Sequence, residues 1–332
     1  MATERLPLVV VLATGGTIAG RAASSLALSE YQAGAASGAE LVEAVPELRQ
    51  LARIRVEQIV NVGSSNMTFA VWRTLADRIN QIFADEADVA GVVITHGTNT
   101  IEETAYFLNL TMRHERPVVL VGSMRPSTAL SADGPLNLVN AVRVAMSAQS
   151  RGRGVLVVLN DEINAARDVT KSNTYRVETF RSGELGFLGY VDHDQVAYYR
   201  APEKRHTVNS EFDLSDIREF PKVEILYGYV EANTPVLIHA LQQAGVRGIV
   251  FAASGAGMLS DGEKAAVKAS PDTIFVRSSR VSNGRVITHK IHDDLGIIPA
   301  DNLSPQKARI LLMLALTRFA ELSELRRVFS EY

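Results

Sequence analysis

Seven short apolar runs punctuate this chain, and stretches of helical period fall between them. The runs are Val9–Ala13, Gly91–Thr95, Pro117–Gly122, Gly154–Leu159, Val223–Tyr227, Gly248–Ala252 and Thr273–Val276. Several are rich in β-branched residues, as strands covered on both faces of a parallel sheet are. Helical spacing predicts a helix over Asn66–Ile82, where Phe69, Trp72, Leu75, Ile79 and Ile82 share one face. It also predicts helices over Thr100–His114, Pro135–Ala148, Thr234–Ala244 and Pro305–Leu322. Alternation of the two patterns predicts an α/β sheet. Tyr198–Phe220 is polar and follows neither period, which reads as a connection with a second domain starting near Pro221. Gly20–Ala39 is rich in Ala, Ser and Gly, buries little, and is expected to be a mobile lid.

Two of the runs end in Gly-Thr turns. One continues Thr14-Gly15-Gly16-Thr17, the other Thr95-His96-Gly97-Thr98-Asn99-Thr100. Ligands of parallel sheets bind outside the carboxyl ends of the strands, so Thr17 and Thr98 are both expected in the binding crevice. A hydroxyl fixed there becomes a nucleophile once a neighbour takes its proton. The bland alternative is a tight turn capped by threonine. Gly15-Gly16-Thr17-Ile18-Ala19-Gly20 is not a dinucleotide fingerprint, because Thr17 stands where the third position needs glycine. No Gly-Lys-Ser/Thr follows, so it is not a phosphate loop either. Thr100 with Glu103 fits a capping box, which makes Thr100 structural and leaves the amides of Thr98 and Asn99 free to face an anion.

Composition narrows the chemistry. The 332 residues suffice for two domains with buried cores, and 46% hydrophobic with 21% charged residues is ordinary for a globular protein. A net charge of −3 gives no basic face for nucleic acid or a membrane surface. No stretch approaches the ~18 apolar residues a membrane span needs. The chain contains no cysteine, which excludes disulfides, thiolate metal sites and cysteine nucleophiles. The apolar start runs straight into the first turn, so the chain is expected to be cytoplasmic, or periplasmic as a mature form whose signal peptide was removed. Other motifs have plain readings. Ser304-Pro305-Gln306-Lys307 has the spacing of a serine acyl-enzyme but reads as an N-cap followed by proline at the first helical position. His289-Lys290-Ile291-His292-Asp293-Asp294 has metal-ligand residue types in a poor arrangement, and no metal is expected there. Lys171, read alone, is a solvated charge before it is a catalytic amine.

Taken together, several segments resemble the bacterial-type L-asparaginases, including the glutaminase-asparaginases. They are Ala13–Ala19, Thr95–Thr98, Met124–Ser127, Ser131–Pro135, Arg167–Lys171 and Pro305–Arg309. The resemblance runs essentially end to end. It implies a large flavodoxin-like N-terminal α/β domain with a mixed, mostly parallel sheet (1–200), a linker (201–220) and a smaller C-terminal α/β domain (221–332). It implies hydrolysis of L-asparagine, with L-glutamine as alternative substrate, no cofactor, and a homotetramer of two tight dimers. Each active site would be completed by the C-terminal domain of a neighbouring subunit. Carried over by position, Thr17 is the nucleophile and Tyr31 its hydrogen-bonding partner on the lid. Thr98 and Lys171 form a second proton-transfer group. Ser64 holds the substrate carboxylate with Gly63 and Ser65 beside it, and Ser123 lines the leaving-group pocket.

The chain departs from that pattern where the substrate's α-ammonium should sit. Asn99 replaces an aspartate, Ser65 a common glutamine, and Ala256 the asparagine of a Gly-Asn-Gly turn, while Lys290 lies near the place of a glutamate. An ammonium buried without its partner costs about 3–5 kcal/mol. Loss of the negative neighbour also disfavours the Lys171 ammonium. Three readings follow: an amidohydrolase with weakened or redirected activity, an inactivated substrate-trapping form, or a non-catalytic amino-acid-binding protein on the same fold.

Overall fold

The computed structural model describes residues 5–332. The chain divides into two compact units, Met1–Ser210 and Glu211–Tyr332. In the first, β1 (Leu8–Gly15), β2 (Arg53–Val62), β3 (Val89–Thr95), β4 (Val118–Val121) and β5 (Val155–Leu159) run parallel in the order 2-1-3-4-5. This is the flavodoxin-like order, whose direction of winding reverses between β1 and β3. Beyond β5 the sheet turns antiparallel through β6 (Glu162–Ala165) to a hairpin of later residues. Between them lies a short ribbon, β7 (Thr170–Lys171) paired with β8 (Phe180–Arg181), and the sheet ends with β9 (Gly189–Val191) and β10 (Val196–Tyr198). Helices α1 (Gly38–Glu43), α2 (Leu48–Leu51), α3 (Phe69–Asp85), α4 (Ile101–Thr111) and α5 (Gly134–Met146) connect the strands. β1 is buried along nearly its whole length, and Val9 and Val11 pack with Val93, Val119, Leu138 and Val142 in one core.

The second unit holds an all-parallel sheet of β11 (Val223–Tyr227), β12 (Gly248–Ala253), β13 (Ile274–Ser279) and β14 (Ile298–Pro299). Its helices are α6 (Thr234–Gln243), α7 (Asp261–Lys268), α8 (Lys290–Asp293), α9 (Pro305–Ala315) and α10 (Leu322–Glu331). Ser304 caps α9, accepting from the Lys307 amide with Pro305 in the first turn, as its sequence predicts.

Two expectations need correction, and a third segment has more ordered contacts than its composition implies. The run from Pro305 to Leu322 is not one helix: α9 ends at Ala315, and α10 begins at Leu322 with its own apolar face of Leu325, Val328 and Phe329. Thr100 occupies the N-cap of α4 without a side-chain cap bond, because its hydroxyl donates instead to the Ser64 carbonyl at 2.8 Å. The Gly20–Ala39 stretch is pinned at both ends. Arg21 and Gln32 form an antiparallel bridge, and the amides of Gly34 and Ala36 bond the carbonyls of Gly16 and Ala19.

Candidate active site

The site begins with a contact between backbones. Gly16 has φ of 84°, a left-handed conformation, and a Cβ placed on it would lie 2.3 Å from the Gly97 nitrogen. A Cβ on Gly97 would in turn lie 2.7 Å from Ser64 Oγ. Only glycine allows three turns to meet this closely. They follow β1, β3 and β2, and the first two flank the reversal point of the sheet. Further bonds lock the junction: Gly16 N–H donates to Val62 O at 2.9 Å, and Thr14 Oγ1 donates to Thr95 O at 2.8 Å. Thr17 and Thr98, one residue beyond each glycine, are thereby brought together, and both are buried, as is Ser64.

Each threonine has its own partner. Thr17 Oγ1 lies 2.8 Å from the Tyr31 hydroxyl. Thr98 Oγ1 accepts from Lys171 Nζ at 2.9 Å. The same ammonium donates to Asn99 Oδ1 at 2.9 Å. Lys171 is not a solvated charge. It sits on β7, its strand pairs with β8, and its amide donates to Glu102 Oε2 at 2.9 Å. Burial pulls its pKa below that of an ordinary lysine, and the Glu102 carboxylate offsets this in part. Glu102 itself lies in the first turn of α4, where the helix dipole favours a negative charge.

Asn99 and Ser65 form the exposed rim over this buried floor. Asn99 spends its amide on two partners, Oδ1 on Lys171 and Nδ2 donating to Ser65 Oγ at 3.2 Å. Its backbone amide donates to Ser64 Oγ at 3.2 Å. Gly63 precedes the single helical turn that carries Ser64 and Ser65. Ser123, fully buried after β4, donates its hydroxyl to the Arg125 carbonyl at 2.7 Å. It borders the turn after β1 across Gly134, whose Cβ direction points 3.0 Å from Ile18 Cγ1 and 3.4 Å from Ser123 Cβ.

A residue given no role by its sequence holds the second turn in place. His96 is wholly buried, and burial lowers its pKa to about 4, so its ring is neutral at neutral pH. Its Nδ1 faces the Gly97 carbonyl at 2.8 Å, an acceptor, which assigns the ring proton there. Nε2 then accepts from Thr104 Oγ1 at 2.9 Å, and Thr104 accepts from Trp72 Nε1 at 2.7 Å. Every donor in this row has one acceptor, and the row ends on Gly97, where the three turns meet.

Among the described residues no group of three or more His, Cys, Asp or Glu side chains could hold a metal, and no helix is long and apolar enough to cross a membrane. His292 is buried, with Nε2 facing the Leu259 amide at 3.5 Å. Two hydroxyls on turns that meet at Gly16 and Gly97, each with its own proton partner, are the groups that can attack a carbonyl, with hydroxyl and amide donors nearby to stabilise an oxyanion.

Residues 8–204 match the family "Asparaginase, N-terminal", and residues 222–329 match the "Glutaminase/Asparaginase C-terminal domain". The chain is 48% identical over 331 residues to L-asparaginase 2 of Bacillus subtilis strain 168, covering 98% of this chain and 87% of that protein. It is 47% identical over 331 residues to L-asparaginase 2 of Escherichia coli K12, covering 98% and 94%. With the glutaminase-asparaginase of Pseudomonas fluorescens biotype A it shares 44% over 333 residues, covering 99% and 91%. The crystal structure of a probable cytoplasmic L-asparaginase from Campylobacter jejuni superposes with a TM-score of 0.95 at 45% identity, covering 99% of this chain and 100% of that one. The three-turn junction therefore stands on the fold of these amide hydrolases, and the chain belongs to the asparaginase family.

Proposed function

We propose that this chain hydrolyses the side-chain amide of L-asparagine to L-aspartate and ammonia, with Thr17 as the nucleophile. The observation that carries the reading is the Gly16–Gly97 contact, which brings two hydroxyls with separate proton partners together at the sheet's reversal point. Thr17 Oγ1 attacks the amide carbon while its proton passes to the Tyr31 oxygen, and the Tyr31 proton goes to the departing nitrogen. Ammonia leaves and an ester forms on Thr17. Water then attacks that ester, one of its protons passing through Thr98 to neutral Lys171 as the acyl–Oγ1 bond breaks; the departing Thr17 oxygen takes back a proton through Tyr31 from the new carboxyl group, which leaves as carboxylate, and Lys171 returns its proton to solvent. Burial of Lys171 favours the neutral, basic form this step needs. Ser64, with Gly63 and Ser65 beside it, receives the substrate carboxylate, and Ser123 borders the leaving group. The family's activity and the relatives named L-asparaginase support the substrate.

The same reading makes the working protein a homotetramer. Tyr227, Tyr229, Val230, Val236, Ile287 and Ile291 of the second unit are each more than half exposed, which gives that unit apolar side chains a neighbouring subunit could cover. An ammonia-release assay on L-asparagine and L-glutamine tests the reaction. Release from L-asparagine that Thr17→Ala abolishes supports it; release that survives this substitution removes Thr17 from the mechanism. A solution mass near the single subunit's 36.1 kDa in an active sample contradicts the assembly.

A further inference from the structure

Tyr31 rests on a peptide that a different loop holds. The chain leaves β4 through residues 122–133, and bonds within that loop fix its shape. Asp133, at the N-cap of α5, accepts the amides of Met124 and Arg125, both at 2.9 Å. Arg125 Nη1 donates to the Ser131 carbonyl at 2.7 Å, and Ser123 Oγ donates to the Arg125 carbonyl at 2.7 Å. The loop presents Ser127 to the start of the Gly20–Ala39 stretch. The Ser127 amide donates to the Gly20 carbonyl at 2.9 Å, and the Ser127 hydroxyl donates to the same oxygen at 2.7 Å. One residue thereby takes both lone pairs of that carbonyl. Two further bonds continue the seam. Thr128 Oγ1 accepts from the Ala22 amide at 2.9 Å, and the Leu130 amide donates to the Ser25 carbonyl at 2.9 Å.

Gly20 is where the Tyr31 ring lies. A Cβ placed on Gly20 would stand 2.7 Å from Tyr31 Cδ2 and 3.1 Å from Cε2, so the ring packs directly on this backbone. The Gly20 amide donates to the Thr17 carbonyl at 2.8 Å. Gly20 therefore touches both partners of the Thr17–Tyr31 hydrogen bond: its nitrogen binds the Thr17 backbone, its Cα supports the ring, and its oxygen is held by Ser127. All of these contacts lie within the first unit. We infer that Ser127 is a positioning residue for the proposed reaction, fixing Gly20 and through it the approach of the Tyr31 phenol to Thr17 Oγ1. The inference rests on the hydrolase reading above and adds to it a residue that acts through Gly20 and Tyr31.

Ser127→Ala removes the hydroxyl bond and leaves the amide bond in place. One neutral hydrogen bond is at stake, so kcat for ammonia release from L-asparagine should fall about three- to tenfold, with KM within about twofold. Tyr31 relays a proton in the first half of the reaction and returns one in the second, so the fall should appear whichever half limits kcat. Ser127→Thr keeps a hydroxyl and should recover most of the natural rate. Tyr31→Phe leaves no phenol to place, so adding Ser127→Ala to it should change the residual rate by less than about twofold. An unchanged kcat in Ser127→Ala, an equal fall in Ser127→Thr, a loss carried by KM, or a fall of the same size in the Tyr31→Phe background overturns the inference. Each of these leaves the hydrolase reading intact. Hydrogen exchange of the peptide spanning Gly20–Gln32 decides the matter without turnover, including where Tyr31→Phe leaves too little rate to compare. Its amides should exchange about threefold or more faster in Ser127→Ala, with the thermal unfolding midpoint nearly unchanged. Equal exchange in the two chains overturns the inference. If neither L-asparagine nor L-glutamine releases ammonia, the hydrolase reading fails, and the exchange comparison still answers whether Ser127 holds the segment that carries Tyr31.

Discussion

The two Gly-Thr turns share a sequence pattern and a place in the sheet, yet their hydroxyls meet different chemistry. Thr17 faces a phenol, Tyr31, carried on a loop tied back by the Arg21–Gln32 bridge. Thr98 faces an ammonium, Lys171, carried on a two-stranded ribbon and held from below by Glu102. A phenol can relay a proton within one concerted step and leave no net charge behind. An amine whose pKa burial has lowered can hold a proton between steps. In the mechanism proposed above, one turn forms the ester and the other hydrolyses it. The site need not ask a single base to serve both halves of the reaction.

Four perturbations probe that contrast. Thr17→Ala should have the largest effect, reducing ammonia release from L-asparagine by about 10⁴-fold or more with the thermal unfolding midpoint nearly unchanged. Lys171→Met should cost about 10²–10⁴-fold in kcat. The natural chain's rate should rise with pH as Lys171 loses its proton, at a pH below that of an exposed lysine, and this limb should vanish in the variant. Measured pH profiles of kcat that superpose for the two proteins would remove Lys171 as the base. Asn99→Asp should raise kcat/KM for L-asparagine by about tenfold or more, one charge-assisted contact being worth ~1.5–3 kcal/mol. It should also shift the Lys171 limb to higher pH, because a carboxylate neighbour favours the ammonium.

The fourth perturbation bears on stability alone. The folded pKa of His96 is lowered to about 4, below its unfolded value near 6.5. The unfolded chain therefore binds a proton in this window that the folded chain does not, and stability is lost as pH falls through it. The loss from this residue is about 3 kcal/mol, because each tenfold change in proton affinity is worth ~1.4 kcal/mol. Burial lowers the pKa values of His114, His206 and His292 as well, so urea midpoints between pH 7 and pH 4 should be compared with those of His96→Gln. The variant should be less stable at pH 7 and should lose less on acidification. An equal loss in both would show that His96 does not carry this share.

The parts of this architecture that were legible in the chain are those made by uninterrupted apolar runs. Buried strands such as β1 and β3 leave no polar position to confuse the pattern, so both Gly-Thr turns could be placed at strand ends. β2 escaped because it alternates: Arg53, Arg55 and Glu57 interleave with Ile54 and Val56, and nearly all its residues are half-buried. Period-2 alternation was the signal available there. Without β2, Ser64 had no strand to follow and entered only through the family resemblance. Glu102 beneath Lys171 and the His96–Thr104–Trp72 row were also unreadable. They join residues far apart in sequence through packing that no local pattern records. The break between α9 and α10 carries neither glycine nor proline, though the apolar period restarting at Leu322 marks it. Thr100 matched a capping pattern but found a better acceptor in the Ser64 carbonyl, a tertiary bond overriding a local one.

The division of labour between the two turns is decided by finding where the acyl group resides. The Lys171→Met chain, slowed in the second half of the reaction, would be quenched during turnover of L-asparagine and its peptides weighed by mass spectrometry. An ester on the peptide carrying Thr17 is the predicted result. An ester on the peptide carrying Thr98, or continued hydrolysis with Thr17 unmodified, would refute the assignment of the two turns.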